Sequence, residues 1–278
     1  MAATTKISSG SGLRRLDIFL QDTSGYPDGD QSGADGYDGT RLTGVKGFVP
    51  TVPDVVTIQH TGDDVTFAQD YFAPSELPTA TITSGKTNLD IDSILQGTTV
   101  QTIGEAQMGV LNTDKDGQEP DVIVQTTRQS LDTDPASAFY GKRRWNTDFY
   151  PISRVVPKAG SSDQGSDDTN NYNVIQTKAG QTPWGVGLSD ANNGATEAVR
   201  LRFVAEYPLR LERWTADGTL DTFNTAMTPV SVAKTQVWAN GTAQTVNSVD
   251  TGSDTFTLSA VPSANAVVVA LYETSDKI

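Results

Sequence analysis

Cysteine is absent from this chain, and histidine occurs only once, at His60. Without cysteine, neither a disulfide framework nor a thiolate metal site can form, so the fold must be held by packing or by neighbouring chains. A Ser-His-Asp arrangement would have to use His60, which precedes the turn residues Thr61-Gly62 at the end of a strand pattern. A lone histidine in that position is typical of an ordinary surface residue.

Long apolar runs are also missing. The longest, at 266–271, is far shorter than the ~20 residues that a membrane-spanning helix needs, so no membrane insertion is expected. The N-terminal sequence through Leu20 contains no apolar stretch of the kind found in signal peptides, and we therefore expect no secretory signal.

Basic residues are few relative to acidic ones. The chain has 20 Lys and Arg against 34 Asp and Glu, which gives a formal net charge of −14. A protein that grips phosphate backbones needs a basic face, so this balance argues against a nucleic-acid-binding function. It is compatible with a surface past which nucleic acid slides without adhering, and solubility alone would also account for it.

What the chain does contain is a series of short strand patterns separated by Gly- and Asp-rich turns. VVTIQH at 55–60 and VIVQTTR at 122–128 indicate strands, and 197–211 alternates strongly enough to predict a single strand. Residues 89–96 come close to helical spacing and are followed by a glycine, whereas 158–172 is polar and predicts a loop. The fold class expected is mainly β, a sandwich or barrel with one or two short helices.

The clearest turn signals lie near the C-terminus. Asn240-Gly241 separates two alternating runs, and a type I′ hairpin turn needs positive φ at both central residues. Further turns are predicted at 250–253 and 262–265. The sequence therefore predicts two domains, a β-rich domain with long polar loops over 1–228 and a small β-sandwich-like (Ig-like) module over 229–278.

No motif for catalysis or nucleotide binding occurs, and the carboxylates lie mainly in glycine-rich turns where Asp is a turn former. We predict no enzymatic activity and no cofactor. One loop resembles the start of an EF-hand, although Ile123 stands where a bidentate Glu is required. An Asp-Gly turn is the alternative to a calcium site there. The candidate calcium ligands are Asn112, Asp114 and Asp116.

A basic and aromatic segment, FYGKRRWNTDFY at 139–150, stands out in the acidic chain. Arginine and aromatic residues are enriched at protein interfaces, whereas base stacking on nucleic acid is the alternative. We expect its basic side chains to pair with an acidic surface on a neighbouring subunit, and its aromatic side chains to be buried. The predicted interface residues are Arg14, Arg15, Lys142, Arg143, Arg144, Trp145 and Tyr150.

The chain resembles the tail tube (major tail) proteins of long-tailed bacteriophages, more closely over residues 229–278 than over the rest. The residues that carry the resemblance are RRLDIFL at 14–20, PISRVVPK at 151–158, and the C-terminal pattern that runs from Val237 to Glu273. A β-rich middle with long polar loops lies between them. This family has no catalytic residues to carry over.

The resemblance implies a β-sandwich or barrel protomer that forms hexameric rings. The rings stack with one another and join other tail proteins, so that viral DNA passes through the lumen without specific binding. The protein would be made in the host cytoplasm and located in the virion. The polar loops at 25–40 and 158–171 would contact neighbouring subunits, and the 229–278 module would lie outside the tube.

Two alternatives remain open at this point. One is another structural virion protein, such as a head decoration or capsid protein, although a capsid protein of the common phage type should show a long amphipathic helix. The other is a carbohydrate-binding adhesin that stacks Trp184, Trp214 and Trp238 on sugars, with core burial as the competing interpretation for Trp238.

Overall fold

The alternating segments form β structure in the computed structural model of the chain, which describes residues 8–29, 35–51, 53, 56–62, 65–72, 77–86, 89–96, 100–108, 119–161, 169–177, 180–188 and 200–278. The N-terminal part consists of β1 Ser8–Gln21, β2 Pro27–Asp28, β3 Thr40–Arg41, β4 Val45–Thr51, β5 Val56–Gly62, β6 Val65–Phe72, β7 Thr79–Ser84, α1 Leu89–Gln96, β8 Gln101–Ile103, β9 Ala106–Met108, β10 Val122–Asp132, β11 Arg143–Ser161, β12 Thr169–Gln176 and β13 Leu201–Ala205. The C-terminal part consists of β14 Leu209–Thr215, β15 Thr222–Asn224, a 3₁₀ helix Val232–Lys234, β16 Thr235–Ala239, β17 Thr242–Gln244, β18 Val246–Asp250, β19 Thr255–Leu258 and β20 Val267–Glu273.

A nine-stranded antiparallel sheet forms the N-terminal part. Its order is β2-β1-β10-β11-β12-β7-β4, with β3 paired to β1 and β13 paired to β11. Strand β4, at one end of this order, contacts β1 near the other end, so the sheet curls into a barrel. Strands β5 and β6 form a separate two-stranded sheet, as do β8 and β9.

Strand β11 changes partners along its length. On the side away from β10, residues 145–149 pair with β13, and residues 153–161 pair with β12. Ile152 lies between the two stretches with φ 47°, in the left-handed region that β-branched residues rarely adopt. The register with β10 shifts at the same place. One continuous strand can therefore pair with two different neighbours on the same side.

The barrel interior is filled by apolar side chains that alternate along its strands. Helix α1 packs onto this core through Ile91 and Leu95, which lie four residues apart on one helical face. The strand residues of this core are Leu16, Ile18, Ala80, Ile82, Val122, Val124, Tyr150, Val155, Tyr172 and Val174.

The C-terminal part is a sandwich of two sheets, in the orders β14-β20-β16-β17 and β15-β19-β18. Its core contains stacked rings of Phe223 and Phe256, with centroids 5.4 Å apart, and Trp214 packs edge-on against both. Strand β14 pairs with β20 from Leu209 to Thr215, and β15 pairs with β19. The sandwich therefore begins at Leu209, upstream of residue 229, where the sequence analysis placed the start of the module. Residues 229–278 by themselves lack one edge strand of each sheet.

The sandwich covers part of the outer face of the barrel. Phe19, Ile123 and Phe149 point away from the barrel core and pack against Leu211 and Val269 of the sandwich. Strands β1, β10 and β11 are consequently buried on both faces where the two parts meet. This burial accounts for the unbroken run of buried residues at 122–127, where a half-buried strand would alternate.

Several expectations from the sequence are confirmed. The fold is mainly β, and the helix has the predicted bounds of 89–96. Asn240 and Gly241 have φ of 47° and 75°, and they connect β16 to β17 as a type I′ turn would. The polar segment 158–172 differs from the prediction, because β11 continues to Ser161 and β12 starts at Thr169. Backbone hydrogen bonds between β11 and β12 carry both strands into 158–172, although the sequence there has no alternating apolar pattern.

Candidate interface surfaces

Arg14, Arg143 and Trp145, all predicted at an interface, line one groove of about 460 Å³. The groove opens where the sandwich stops covering the outer face of the barrel. One wall is formed by Tyr207 with the adjoining Pro208, and another by the C-terminal residues 275–278. Arg143 Nη1 donates a hydrogen bond of 3.3 Å to Oε1 of Gln129, which also lines the groove.

Local strand geometry brings the side chains of the groove together. Trp145 lies opposite Gln129 of β10 on one side and Ala205 of β13 on the other. In β1 the register with β10 shifts between Leu13 and Arg15, which leaves Arg14 as an extra residue at a β-bulge. Bulges redirect side chains from the regular alternation, and this one places Arg14 in the groove with Trp145.

Arg144 and Lys142 interact within their own chain. The buried guanidinium of Arg144 donates from Nε to the carbonyl oxygen of Ala205 at 3.3 Å and from Nη2 to that of Val204 at 3.4 Å. It also lies 3.9 Å from the ring centre of Phe139. The exposed amine of Lys142 is 5.9 Å from the same ring centre. Arg144 thus holds β13 against the barrel of its own chain.

Arg15 and Tyr150 are also used inside the chain. The Nε of Arg15 donates to the carboxylate of Asp17 at 2.8 Å, and both side chains are buried. Tyr150 lies in the barrel core, with its ring centre 5.0 Å from that of Phe48. Its neighbour Phe149 is fully buried on the other face of β11. The side chains that remain available for the expected interface are those of the groove and the exposed ones of segment 139–150.

The candidate calcium ligands Asn112, Asp114 and Asp116 lie outside the described residues. Among the residues that are described, no group of three or more His, Cys, Asp and Glu side chains is placed to hold a metal ion. No helix in the described part of the chain is long and apolar enough to cross a membrane. His60 lies in β5, opposite Ala68.

A buried network of charges, which sequence reasoning missed, joins the barrel to the sandwich. Nη1 of Arg210 on β14 donates to Oδ2 of Asp17 on β1 at 2.9 Å, and its Nη2 donates to Oδ2 of Asp38 at 3.1 Å. Tyr37, next to Asp38, exchanges backbone hydrogen bonds of 2.8 and 3.0 Å with Arg213. The described part of the 25–40 loop is therefore docked onto the sandwich of its own chain.

A buried carboxylate lies beside this network, inside the sandwich. The carboxylate of Glu212 accepts hydrogen bonds from the hydroxyl of Tyr272 and from the backbone N–H of Ala226. Burial raises the pKa of Glu212 to about 7, even though both hydrogen bonds and the nearby Arg210 act in the opposite direction. Burial likewise raises the pKa of Tyr272, so the phenol stays protonated and serves as the donor.

A second buried carboxylate organises the end of the barrel sheet. Asp148 on β11 accepts hydrogen bonds from Arg128 on β10 and from Arg202 on β13, the latter at 2.6 Å from Nε and 3.0 Å from Nη2. Burial alone would raise the pKa of Asp148, but the two guanidinium groups outweigh it and hold the pKa below its ordinary value. The cluster ties three adjacent strands together.

The tryptophans considered for sugar binding lie at internal contacts. Trp214 is fully buried in the sandwich core, and Nε1 donates to the carbonyl oxygen of Asn224 at 3.1 Å. Trp184 is buried where the barrel meets the sandwich and stacks on Trp238 with ring centres 5.3 Å apart. These rings fasten the loop at 180–188 to the sandwich and do not offer faces to a ligand.

Three surfaces of the fold lack partners within the described residues. The β5–β6 hairpin pairs from Val56 opposite Phe72 to Gly62 opposite Val65, and no other described strand joins it. The short β8–β9 hairpin is likewise a sheet of its own. Strand β13 pairs with β11 only, and its Val204 side chain is 43% exposed.

The chain was compared with known protein families, with curated proteins and with solved structures, and none of them matches it.

Proposed function

We propose that this chain is a self-assembling structural protein of a virion. Specifically, it is the subunit of the tail tube of a long-tailed phage, which forms stacked hexameric rings around a channel for the genome. The ring symmetry and the tube come from the sequence resemblance. The observation that carries the self-assembly is the β5–β6 hairpin.

A two-stranded hairpin needs a further surface to be stable. The pairing of β5 with β6 spans seven residues or more in each strand, yet no third described strand completes the sheet. An isolated two-stranded hairpin is marginally stable in water, and a third strand or a packed helix is needed for independent stability. A neighbouring copy of the chain supplies such a surface in the proposed ring or between rings.

The edge of β13 with which no other described strand pairs supports the same proposal. An edge strand presents backbone N–H and C=O groups that pair readily with another chain, and proteins that remain monomeric protect such edges. Here the edge strand comprises residues 201–205 and includes the exposed side chain of Val204. A subunit that joins its sheet to that of a neighbour would pair with the backbone groups of this edge other than the carbonyl oxygens that accept from Arg144.

The charge of the chain is compatible with a conduit for DNA. A net charge of −14 gives a tube assembled from many copies a high density of negative charge. Like charge keeps DNA from adhering to the wall, which is the property that a channel for the genome needs. The adhesin alternative is weaker, because Trp184 and Trp214 are buried.

Light scattering coupled to size-exclusion chromatography, together with negative-stain electron microscopy, would test the proposal. Wild-type protein is expected to form rings with six-fold symmetry or tubes as its concentration rises. A variant in which residues 56–72 are replaced by a short Gly-Ser linker should remain a monomer and keep a cooperative thermal unfolding transition, because neither the nine-stranded sheet nor the sandwich sheets include β5 or β6.

A Gly-Ser insertion in the exposed turn at 251–253 provides the control, since it also alters a surface loop but leaves the hairpin intact. The control variant should assemble like the wild type. A wild-type protein that stays monomeric at high concentration would contradict the proposal, as would ring formation by the variant without the hairpin.

A further inference from the structure

We infer that the groove lined by Arg14, Arg143 and Trp145 receives the tip of the β8–β9 hairpin from a second copy of this chain. In that contact, Glu105 of the second copy pairs with the two guanidinium groups. The inference rests on the proposed self-assembly and names two surfaces that meet in it.

The groove is lined by more basic than acidic side chains. Neither Arg14 nor Arg143 forms an ion pair with a described residue, and the polar contact of Arg143 is with the neutral side chain of Gln129. Lys277 lines the same groove, and so does one acidic residue, Asp276, whose carboxylate accepts a hydrogen bond from the Thr228 N–H. Since acidic residues outnumber basic ones by 34 to 20 in this chain, unpaired arginines gathered at one place mark a surface suited to an acidic group.

Aromatic side chains lie next to this charge. Half-buried Trp145 and Tyr207 border the groove beside the arginines. Tryptophan, tyrosine and arginine are the residues that most often dominate binding energy at protein interfaces. The groove is thus suited to a partner that combines an acidic group with apolar side chains.

The β8–β9 hairpin has that combination. Ile103 lies opposite Ala106, so Gly104 and Glu105 form the two-residue tip, and Gly104 has the positive φ of 66° that such a tip requires. Glu105 is exposed and has no ion pair within the described part of the chain. The exposed fractions of Ile103 and Met108 are 62% and 38%.

The dimensions of the two surfaces also fit. Each strand of the hairpin has three residues, which at ~3.3 Å per residue gives a projection about 10 Å long. A groove of about 460 Å³ is in the range of cavities that enclose small ligands, so it can hold the few side chains at such a tip. Contact of Met108 or Ile103 with the Trp145 ring would cover apolar surface that is now exposed.

The contact would be heterologous, because the groove and the hairpin are different surfaces of one molecule. Heterologous contacts repeat from copy to copy and generate closed rings or open helical assemblies. Nucleic acid is a less suitable occupant, since a polyanion is bound by a basic stripe or face that extends well beyond two or three cations.

Swapping the charges of Arg143 and Glu105 tests the contact. R143E and E105R are each expected to raise the concentration at which the protein assembles by about tenfold or more, because each places like charges together. The double variant R143E/E105R restores opposite charges and should assemble close to the wild-type concentration. R154E is the matched control, since Arg154 on β11 lies outside the groove, carries the same change and loses only a part-exposed ion pair with Asp121.

The outcomes separate this contact from the proposed function. Wild-type assembly that R143E and E105R leave unchanged would overturn the contact and leave self-assembly standing, whereas a wild-type protein that never assembles would overturn both. Failure of the double variant to recover, with all variants melting like the wild type by circular dichroism, would also overturn the contact. So would binding of a single-stranded DNA oligonucleotide that fluorescence anisotropy detects for the wild type and not for R143E.

Discussion

Arg210 of β14 and Asp17 of β1 form an ion pair of 2.9 Å between two side chains that are both buried. The two residues lie in different parts of the fold, so the pair joins the sandwich to the barrel. Asp17 also accepts from Arg15 at 2.8 Å, which makes it the shared counter-charge of two buried guanidinium groups. Removal of one partner of a buried ion pair costs much more than the net stabilisation that the pair provides, because the other charge stays buried.

Asp17→Asn should therefore lower the free energy of unfolding by about 3–5 kcal/mol. The amide has nearly the shape of the carboxylate but leaves Arg15 and Arg210 without their common negative charge. Urea denaturation at pH 7 would measure the change. Asp38→Asn is the comparison, since Asp38 also pairs with Arg210 but its side chain is 36% exposed. Equal losses in the two variants would contradict the role assigned to Asp17.

The pKa of Glu212 predicts how stability depends on pH. The pKa is raised from its ordinary value near 4.5 to about 7, so between these pH values the folded protein holds a proton that the unfolded chain has lost. The contribution of Glu212 to stability consequently declines as pH rises from 4.5 to 7 and levels off above 7. The expected decline is on the order of 3 kcal/mol.

Chemical denaturation at pH 5 and pH 8 would measure this decline, with Glu212→Gln as the reference. Glutamine keeps an oxygen that can accept from Tyr272 but does not titrate, so the variant should lose less stability between the two pH values than the wild type. Asp148, whose pKa is lowered, contributes stability that is lost as pH falls below about 4 and is complete throughout this window. An identical pH dependence in the two proteins would exclude Glu212 as its source.

The Asn240-Gly241 turn should be intolerant of side chains at its second position. Gly241 has φ 75°, and an added Cβ would overlap the carbonyl oxygen of Gly185 in the loop that docks on the sandwich. Gly241→Ala is expected to cost about 1–3 kcal/mol from backbone strain, with the overlap in addition. Thermal denaturation would compare it with Gly187→Ala in the same loop, where an added Cβ meets no atom within 4 Å. Similar melting temperatures for the two variants would contradict this expectation.

Truncation at residue 228 should destroy the sandwich. It removes β16–β20 but keeps β14, so Leu211 and Trp214 would lose the strands that bury them. The truncated protein is expected to bind a hydrophobic dye and to aggregate. A chain that ends at Asp276 keeps the hydrogen bond from the Thr228 N–H to Asp276 and should remain soluble. Dye fluorescence and the soluble fraction after expression would distinguish the two, and a soluble, dye-free truncation at 228 would refute the prediction.

Short sequence patterns correctly predicted those elements whose conformation depends on neighbouring residues in the sequence. Helix α1 follows from the spacing of Ile91 and Leu95, and the hairpin turn at 240–241 follows from the tolerance of Asn and Gly for positive φ. The prediction of a single strand over 197–211 was wrong. Pro208 interrupts the strand because it lacks an N–H and restricts the residue before it. β13 joins the barrel, and β14 joins the sandwich.

The interface candidates show what a sequence pattern omits. Arg143 and Arg144 are adjacent and chemically alike, yet the pleat of β11 exposes the first and buries the second against β13. The ion pair of Asp17 with Arg210 depends on how two distant strands come together, which neither segment encodes alone. Arg14 lies in the groove because of a β-bulge, and that bulge depends on the pairing of β1 with β10.

The position of β20 determines when the sandwich of a newly made chain can close. β20 follows all the other described strands in the sequence, yet it lies between β14 and β16 in the sheet. During translation the N-terminal barrel can begin to fold first, but the sandwich sheet stays open until β20 has left the ribosome. Arg210 can settle fully against Asp17 only when β14 has its partner. A chain that stops before β20 would thus lack a closed sandwich and remain exposed to proteases.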